Sequence, residues 1–151
     1  MALRLSTGLR SALLGDNGGF KELLNNGWLD IYTGTQPASA DSVETGTKLV
    51  RVSSTSGQAS TDGLKFGTAA SGVLPLSSVA WTGVVQVAGI AGWFRYYGSS
   101  GTGGKTGTDG TAIRFDGNCG VSGADLVLSH TSLALASTLT ISTFNITQPA
   151  E

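Results

Sequence analysis

From residue 28 onward, apolar residues alternate with other residues in short runs, and glycine-rich segments separate these runs. A period of two places successive side chains on opposite faces of a β-strand. No helical pattern lies between the later runs, which argues against βαβ units and a parallel sheet. The sequence therefore predicts an all-β fold, an antiparallel β-sandwich or jelly-roll-like domain of about eight or nine strands with a short N-terminal helical segment.

The predicted strands follow these alternating runs. They cover residues 28–34, 47–53, 64–69, 72–76, 79–89, 92–98, 111–117, 124–129 and 139–148, with a shorter extended piece at 132–135. The last strand changes phase between Ile141 and Phe144, which predicts a bulge or a crossing from one sheet to another. Pro75 has no N–H for a ladder, so its strand is predicted to be an edge strand or an irregular one. Residues 35–46 are predicted to form a polar loop.

The periodicity changes at residue 27 and divides the chain into two parts. We predict a helical arm over residues 1–27 and a β-sandwich domain over residues 28–151, which together make one compact domain. Within the arm, a turn and a short helix are predicted for residues 16–27. The apolar face of that helix consists of Phe20, Leu23 and Leu24.

Three leucines near the start of the chain recur every four residues, namely Leu5, Leu9 and Leu13. This spacing predicts a short amphipathic helix over residues 5–14, with Ser6 or Thr7 as its N-cap and Arg10 outside the apolar stripe. A helix this short is marginal alone and needs a surface to pack against. The leucines are expected either to cover one end of the β-core or to dock on a neighbouring subunit.

Charged residues make up only 13% of the chain, and 23 of its 151 residues are glycine. Ordinary soluble domains carry about 25% charged residues, so the low charge fits β-rich surfaces that are buried in an assembly. Nine lysines and arginines are scattered singly, and the net charge of −1 provides no basic patch. We therefore predict no nucleic-acid partner.

The sequence also bears on the compartment. No run approaches the roughly 18 apolar residues of a membrane span, and the N-terminus lacks the uninterrupted apolar region of a signal peptide. Cys119 is the only cysteine, which excludes a disulfide within the chain. These features predict a soluble protein with no membrane partner, made and assembled in a reducing cytoplasm.

The predicted strand at residues 92–98 has apolar side chains on both faces. Alternation places Trp93, Arg95 and Tyr97 on one face, and the other face consists of Phe94 and Tyr96. Both faces are therefore expected to be buried. In a sheet this small, we expect a partner subunit to cover the second face.

Arg95 has a second expected role within the sheet. Arg95 and Arg114 are expected to meet acids such as Asp30 or Asp116 across neighbouring strands. An aromatic strand that carries a cation is also typical of a platform for sugars or nucleic acids, so a carbohydrate-binding module remains an alternative function.

Residues 98–106, GSSGTGGKT, are similar to a phosphate-binding loop. The motif G-x-x-x-x-G-K-[ST] requires a glycine five residues before Gly104, and that position is occupied by Ser99. The motif also opens a helix, whereas turn residues and a strand follow here. We therefore predict no nucleotide site and expect residues 99–109 to form the exposed tip of a hairpin.

His130 is the only histidine, with Ser129 adjacent and Asp125 nearby. Adjacent side chains in a strand point to opposite faces, and no G-x-S-x-G elbow is present, so we predict a surface or interface histidine rather than a triad. Cys119 is predicted to be a turn residue with a free thiol, and Asp116-Gly117 a turn dipeptide. We predict no catalytic, cofactor-binding or metal site.

Several stretches together resemble a known group of proteins. They are RLSTGLRSALL near the start, LDIYTGTQPASAD at 29–41, GWFRYYG at 92–98, IRFDGNCG at 113–120, ADLVLSHTSL at 124–133 and TISTFNITQP at the end. In this order they resemble small β-rich virion proteins encoded among the head and tail structural genes of tailed bacteriophages and prophages. The shared motifs are structural rather than catalytic.

The resemblance implies a virion structural protein that is not an enzyme and is made in the cytoplasm of the host bacterium. The first expectation is a capsid decoration (cement) protein on the capsid surface, which binds and stabilises the major capsid protein lattice and self-associates as a homotrimer. A neck, tail or fibre component is the alternative. The expected contact residues are Leu5, Leu9, Arg10, Leu13, Trp93, Arg95 and Tyr97. Truncation of residues 1–15 is expected to lower capsid binding and leave the β-domain folded.

Overall fold

The computed structural model describes residues 3–6, 9, 19–54, 63–98 and 112–147, and within them the chain is mostly β with one short helix. The strands are β1 (Arg4–Leu5), β2 (Trp28–Tyr32), β3 (Lys48–Val52), β4 (Val73–Pro75), β5 (Trp81–Val84), β6 (Gly89–Ile90), β7 (Trp93–Tyr97), β8 (Arg114–Gly120), β9 (Leu126–Val127), β10 (Ser132–Leu133), β11 (Thr138–Ile141) and β12 (Asn145–Thr147), and the helix is α1 (Phe20–Leu24). The antiparallel sheets confirm the predicted all-β, sandwich-like fold class.

A main sheet forms one side of the fold. Its strand order is β1-β8-β7-β2-β3, with antiparallel neighbours throughout, and β9 lies beside β8 as a parallel strand. The pairing of β7 with β8 confirms the predicted hairpin strands. The predicted tip, residues 99–109, lies outside the described residues, as does the whole of GGKT at 103–106. Among the described residues, the element that follows β7 is the strand β8.

The remaining strands form three two-stranded ladders that pack on the main sheet. β5 pairs with β11, β6 with β10 and β4 with β12. The strand predicted for residues 139–148 is therefore divided between two ladders, which confirms the predicted crossing between sheets. Pro75 lies in β4 opposite Asn145, in a ladder of only two strands, as expected for a residue without an N–H donor.

Two other predicted strands take a different form. Leu64 and Phe66 make only isolated bridges, because each pairs with a different segment and no ladder can extend between them. The strand predicted for residues 79–89 is divided into β5 and β6. The division arises because the N–H groups of residues 86 and 87 both donate to the Leu49 carbonyl on β3.

An aromatic core joins the two layers. Tyr96 of β7 lies 5.8 Å from Trp81 of β5, measured between ring centroids, and Phe94 lies 5.8 Å from Phe144 in an edge-on arrangement. All four rings are buried. Edge-on aromatic pairs contribute about 0.5–1.5 kcal/mol beyond the area that they bury. The apolar face of β7 therefore anchors the ladders.

The N-terminal residues join the main sheet. Leu5 lies in β1 opposite Phe115, so the helix predicted for residues 5–14 does not begin at Leu5. Ser6 Oγ accepts the Leu9 N–H at 3.1 Å, which is the bond that an N-cap makes. Leu9 is fully buried, and Leu5 packs against the same core. These two leucines thus cover the β-core, the first of their two expected roles, whereas residues 10–18 lie outside the described part of the chain.

The helix α1 lies within the second predicted helical segment and buries two of its three predicted apolar residues, Leu23 and Leu24. Tyr96 Oη donates to the Leu24 carbonyl at 2.8 Å. The last carbonyls of a helix have no partner within the helix, so this bond from the main sheet fixes the end of α1 against the core.

Candidate functional site

A row of alternating charges crosses the main sheet on the face opposite the aromatic core. The row consists of Arg4, Asp116, Arg95, Asp30 and Arg51, which belong to β1, β8, β7, β2 and β3. Each residue is the direct cross-strand partner of the next, so all five share one face of the sheet. We call them the charge row. A cation faces a carboxylate at every step, and no like charges are paired.

Both carboxylates of the charge row are bound by arginines. Arg95 Nη2 donates to Asp116 Oδ2 at 2.8 Å, and both side chains are completely buried. Arg51 Nε and Nη2 donate to the two carboxylate oxygens of Asp30, each at 2.7 Å, in a bidentate arrangement. The hydrogen bonds to Asp30 raise the pKa of Arg51. Charge-assisted bidentate bonds are among the strongest in proteins, so neither carboxylate is left as a free base.

Stacked aromatic pairs flank the charge row on both sides. Tyr32 stacks on Trp93 with ring centroids 4.5 Å apart, and Trp28 stacks on Tyr97 at 5.7 Å. The Arg95 guanidinium carbon lies 5.2 Å from the centre of the Trp93 ring. A desolvated cation over an aromatic ring contributes about 2 kcal/mol. Rings and ion pairs therefore pack as one continuous layer.

Residues 33–47 fold over this layer, and we call them the strap. Its ends are adjacent, because the Thr33 N–H donates to the Thr47 carbonyl at 3.0 Å and the Thr47 N–H to Thr33 Oγ1 at 2.9 Å. Gly34 and Gly46 lie just inside these ends, each with a φ of 81°, a conformation that favours glycine. A loop of this length with neighbouring ends is an Ω-loop, a type that is frequently functional.

Arginines of the main sheet bind the strap through its backbone carbonyls. The bonds run from Arg95 to Ser42, from Arg114 to Ala40 and from Arg4 to Pro37. The Arg95 bond is 2.8 Å long and the Arg114 bond 2.6 Å. Burial lowers the pKa of Arg114, and the nearby charge of Arg95 lowers it further. The strap carbonyls accept hydrogen bonds from guanidinium groups that would otherwise be buried without enough acceptors.

Side chains of the strap also enter the layer. Gln36 Nε2 donates to Asp116 Oδ1 at 2.8 Å. The Glu44 carboxylate lies 3.2 Å from Arg95 Nη1 and accepts a hydrogen bond from Tyr97 Oη at 2.9 Å. Arg95 therefore connects the charge row to the strap through both a side chain and a backbone carbonyl.

All three tyrosines of the chain have raised pKa values. Burial raises the pKa of Tyr32 to about 12, and the charge of Asp30 adds to the effect. The pKa of Tyr97 is raised by burial and by Tyr32, whose hydroxyl lies 3.2 Å away. Burial alone raises the pKa of Tyr96. The three hydroxyls therefore act as neutral hydrogen-bonding groups within the fold.

Ser129 and His130 meet outside the strap region. Ser129 Oγ lies 3.0 Å from His130 Nδ1, and both residues are exposed. They follow β9 rather than lying in a strand, so the expectation that they point to opposite faces is corrected. Asp125 is occupied elsewhere, since its Oδ2 accepts the Asn118 N–H at 3.0 Å and its own N–H donates to Asn118 Oδ1. No Ser-His-Asp arrangement is assembled from these residues.

The structure places the predicted contact residues inside the fold. Trp93, Arg95 and Tyr97 are completely buried, which confirms that both faces of β7 are covered. The cover over their face is the strap of the same chain rather than a partner subunit, which corrects the expectation. Arg95 meets Asp116 as predicted, whereas Asp30 binds Arg51. Leu5 and Leu9 pack on the core as described above, and Arg10 and Leu13 lie outside the described residues.

Three predicted turn residues lie in β8 instead. Asp116 and Gly117 continue the strand, and Asp116 pairs with Arg95 on β7. A Cβ at Gly117 would come within 2.9 Å of the Phe94 ring. Cys119 also lies in β8, and burial together with the charge of Asp125 raises the pKa of its thiol to about 12. Close packing, and not a turn, accounts for the glycine at position 117.

Comparison of the chain with family models, with curated proteins and with solved structures found no match. In the described part of the chain, no group of three or more histidines, cysteines and acids is placed to hold a metal ion. Among the same residues, no helix is long and apolar enough to cross a membrane.

Proposed function

We propose that the chain is a structural protein of a tailed-bacteriophage virion, without enzymatic activity, and that it decorates the capsid by binding the major capsid protein lattice. One observation carries the structural role. The carboxylates and guanidinium groups of the charge row bind one another, and the buried Arg95 also binds the strap, which is a use of charge in holding a loop rather than in catalysis. The resemblance of the sequence to phage virion proteins supports the proposal that the chain is part of a virion.

The strap is the surface that we propose for the contact with the lattice. Loops held on a rigid sheet commonly carry binding residues, and this loop is fixed by buried arginines at several points. A loop that is already ordered loses little conformational entropy on binding. Val43 lies near the middle of the strap and is 56% exposed, so it offers an apolar contact at the outer side of the loop.

The stabilising effect follows from mass action. A protein that binds only the mature lattice stabilises it by about 2.7 kcal/mol per site when its free concentration is 100 times the dissociation constant. The effect requires no chemistry, only many equivalent sites and a rigid ligand. The charge row and the strap make the chain rigid, which suits the second of these requirements.

Particle composition tests the proposal directly. Purified particles of the phage or prophage that encodes the chain would be examined by quantitative mass spectrometry and cryo-electron microscopy. Decoration predicts many copies spread over the capsid lattice. Copies confined to the portal vertex or tail would instead identify a neck, tail or fibre component, and particles that lack the chain would overturn the virion assignment.

A matched pair of variants tests the strap. Val43→Lys is expected to weaken binding to capsids that lack the chain, because a charge would enter the contact. Val121→Lys serves as the control, since Val121 is 59% exposed and lies outside the strap. Equal binding by both variants would exclude the strap as the contact surface.

The structure bears on the truncation expected to lower capsid binding and on the carbohydrate-binding alternative. Truncation of residues 1–15 would remove β1 and the buried Leu9, so a loss of capsid binding would not separate docking from unfolding. The carbohydrate-binding alternative relied on the aromatic strand, and Trp93 and Tyr97 are completely buried there. These rings therefore offer no platform to a sugar.

A further inference from the structure

Charged residues are absent from two long segments of the sequence. Residues 66–94 and 126–147 contain no aspartate, glutamate, lysine or arginine, so every charged residue of the chain lies elsewhere. His130 is the one ionisable side chain in these segments. Solvent-facing surfaces normally carry about 25–35% charged residues, so segments of this length without any are unusual for a surface exposed to water.

The fold brings the two uncharged segments together. Each of the three two-stranded ladders takes one strand from residues 66–91 and the other from residues 126–147. We call residues 66–91 and 128–147 the uncharged layer, since β9 (Leu126–Val127) belongs to the main sheet. Its inner residues, such as Leu139 and Ile141, are buried in the core, and their neighbours Thr138 and Thr140 face outward. The main sheet and the strap carry many of the charged residues of the chain, and this opposite layer carries none.

The uncharged layer also exposes most of the large apolar side chains found on the described surface. They are Val79, Val84, Val87, Ile90 and Leu135, while Val43, Val121 and Val127 lie outside the layer. Ile90 and Leu135 are 66% and 65% exposed. Ala136 adopts a positive φ of 62°, and the Ser137 N–H donates to the Ala134 carbonyl, so a turn between β10 and β11 directs Leu135 outward.

One edge of the uncharged layer is open among the described residues. β10 pairs only with β6, and β11 only with β5. Edge strands are usually protected by lysine or proline, and residues 126–147 contain neither. An uncharged edge of this kind is a ready surface for another β-rich chain.

We propose that the uncharged layer is the surface through which two copies of this chain bind each other across a two-fold axis. The argument for a second copy rests on charge. When a surface meets its own equivalent across a two-fold axis, identical charges come close together and repel. A surface with no charge avoids that repulsion, whereas recognition of a different protein commonly relies on complementary charges. Exposed Ile90 and Leu135 are then buried between copies.

This inference deepens the proposed function, because a protein that binds a symmetric lattice at many sites gains from contacts between its own copies. Its test uses the purified full-length chain alone. A chain that is monomeric in solution would overturn this inference and leave the lattice proposal standing. Particles that lack the chain would overturn the lattice proposal and leave this inference standing.

The experiment compares two double variants by sedimentation and light scattering over a wide range of concentrations. The wild-type chain is expected to form oligomers. Ile90→Lys/Leu135→Lys is expected to be monomeric, since it places charges in the contact. Val43→Lys/Val121→Lys adds the same charge at exposed valines outside the uncharged layer and is expected to remain oligomeric. Oligomers of the first variant, or monomers of the second, would overturn the proposal.

A second measurement keeps the proposal testable if the lysine variant fails to fold. Thr138→Cys lies on the exposed side of β11, and Thr45→Cys lies on the exposed strap. Under mild oxidation, Thr138→Cys is expected to form a disulfide-linked dimer, and Thr45→Cys to remain unlinked. Cross-linking of Thr45→Cys in place of Thr138→Cys would contradict the assignment of the surface.

Discussion

Arg95 and Asp116 face each other directly across β7 and β8, and their charged groups meet at 2.8 Å with both side chains completely buried. Arg95 also binds the strap, through the Ser42 carbonyl and the Glu44 carboxylate. One guanidinium group therefore joins two strands of the main sheet to the loop above them. Several consequences of this arrangement can be measured.

Asp116→Asn is expected to lower the free energy of unfolding by about 3 kcal/mol, because removal of one partner leaves the other charge buried without its counter-ion. The loss falls at the lower end of the usual range because Glu44 remains 3.2 Å from Arg95. Urea unfolding followed by tryptophan fluorescence would measure it. Lys48→Met is the control, since Lys48 is 42% exposed and 3.9 Å from Asp30, and it should change stability by less than about 1 kcal/mol.

Arg95→Lys is expected to loosen the strap, because an ammonium group cannot reproduce the several directed bonds of a guanidinium. Hydrogen exchange of strap peptides, measured by mass spectrometry, should become faster. Arg51→Lys is the matched control, since Arg51 also binds an aspartate of the charge row in a bidentate manner but is bonded to Asp30 and not to the strap. Equal exchange rates in the two variants would show that Arg95 does not hold the loop.

The tyrosines should titrate only when the protein unfolds at high pH. Folding raises their pKa values above the ordinary value near 10, so the stability that they contribute is complete below about pH 10 and falls as pH rises toward 12. Tyrosinate absorbance at alkaline pH should therefore appear together with loss of β circular dichroism. A chain unfolded in urea is the control and should titrate near pH 10. Tyrosinate formation by the folded protein near pH 10 would contradict the burial of these rings.

Gly83→Ala is expected to destabilise the fold by about 1–3 kcal/mol, because a close-packed site tolerates an added methyl group poorly. A Cβ at Gly83 would lie 2.3 Å from the Arg51 carbonyl, where β5 of the uncharged layer approaches β3 of the main sheet. Thermal unfolding would measure the loss. Gly19→Ala is the control, since nothing lies within 4 Å of its Cβ position, and it should cost less than about 1 kcal/mol. Similar losses in both variants would exclude a close contact between the layers at Gly83.

Local pattern was sufficient for much of the fold. The alternation in WFRYY predicted both that Trp93, Arg95 and Tyr97 share a face and that both faces of the strand are buried, and the structure confirms this. The phase change after Ile141 correctly predicted a crossing between ladders. Such predictions succeed because the strand period is fixed by backbone geometry and does not depend on what the strand packs against.

Other features escaped the sequence because they depend on distant partners. Residues 35–46 read as a polar loop, and no residue type signals that backbone carbonyls such as those of Ala40 and Ser42 accept bonds from buried arginines. Every residue carries a carbonyl, so the only local signs were the glycines near the two ends of the strap. The spacing of Leu5 from Leu9 suits a helix, yet pairing with Phe115 makes Leu5 a strand residue.

The sequence by itself determined the strand periodicity, the two-faced aromatic strand and the uneven distribution of charge, because these are properties of residue order and type. Only the tertiary structure decided that the charges align as a row across five strands and that the chain covers its own second face with the strap. The physical reason is that strand alternation fixes which face a side chain occupies, whereas strand order and register, set by contacts between distant segments, fix which side chains meet.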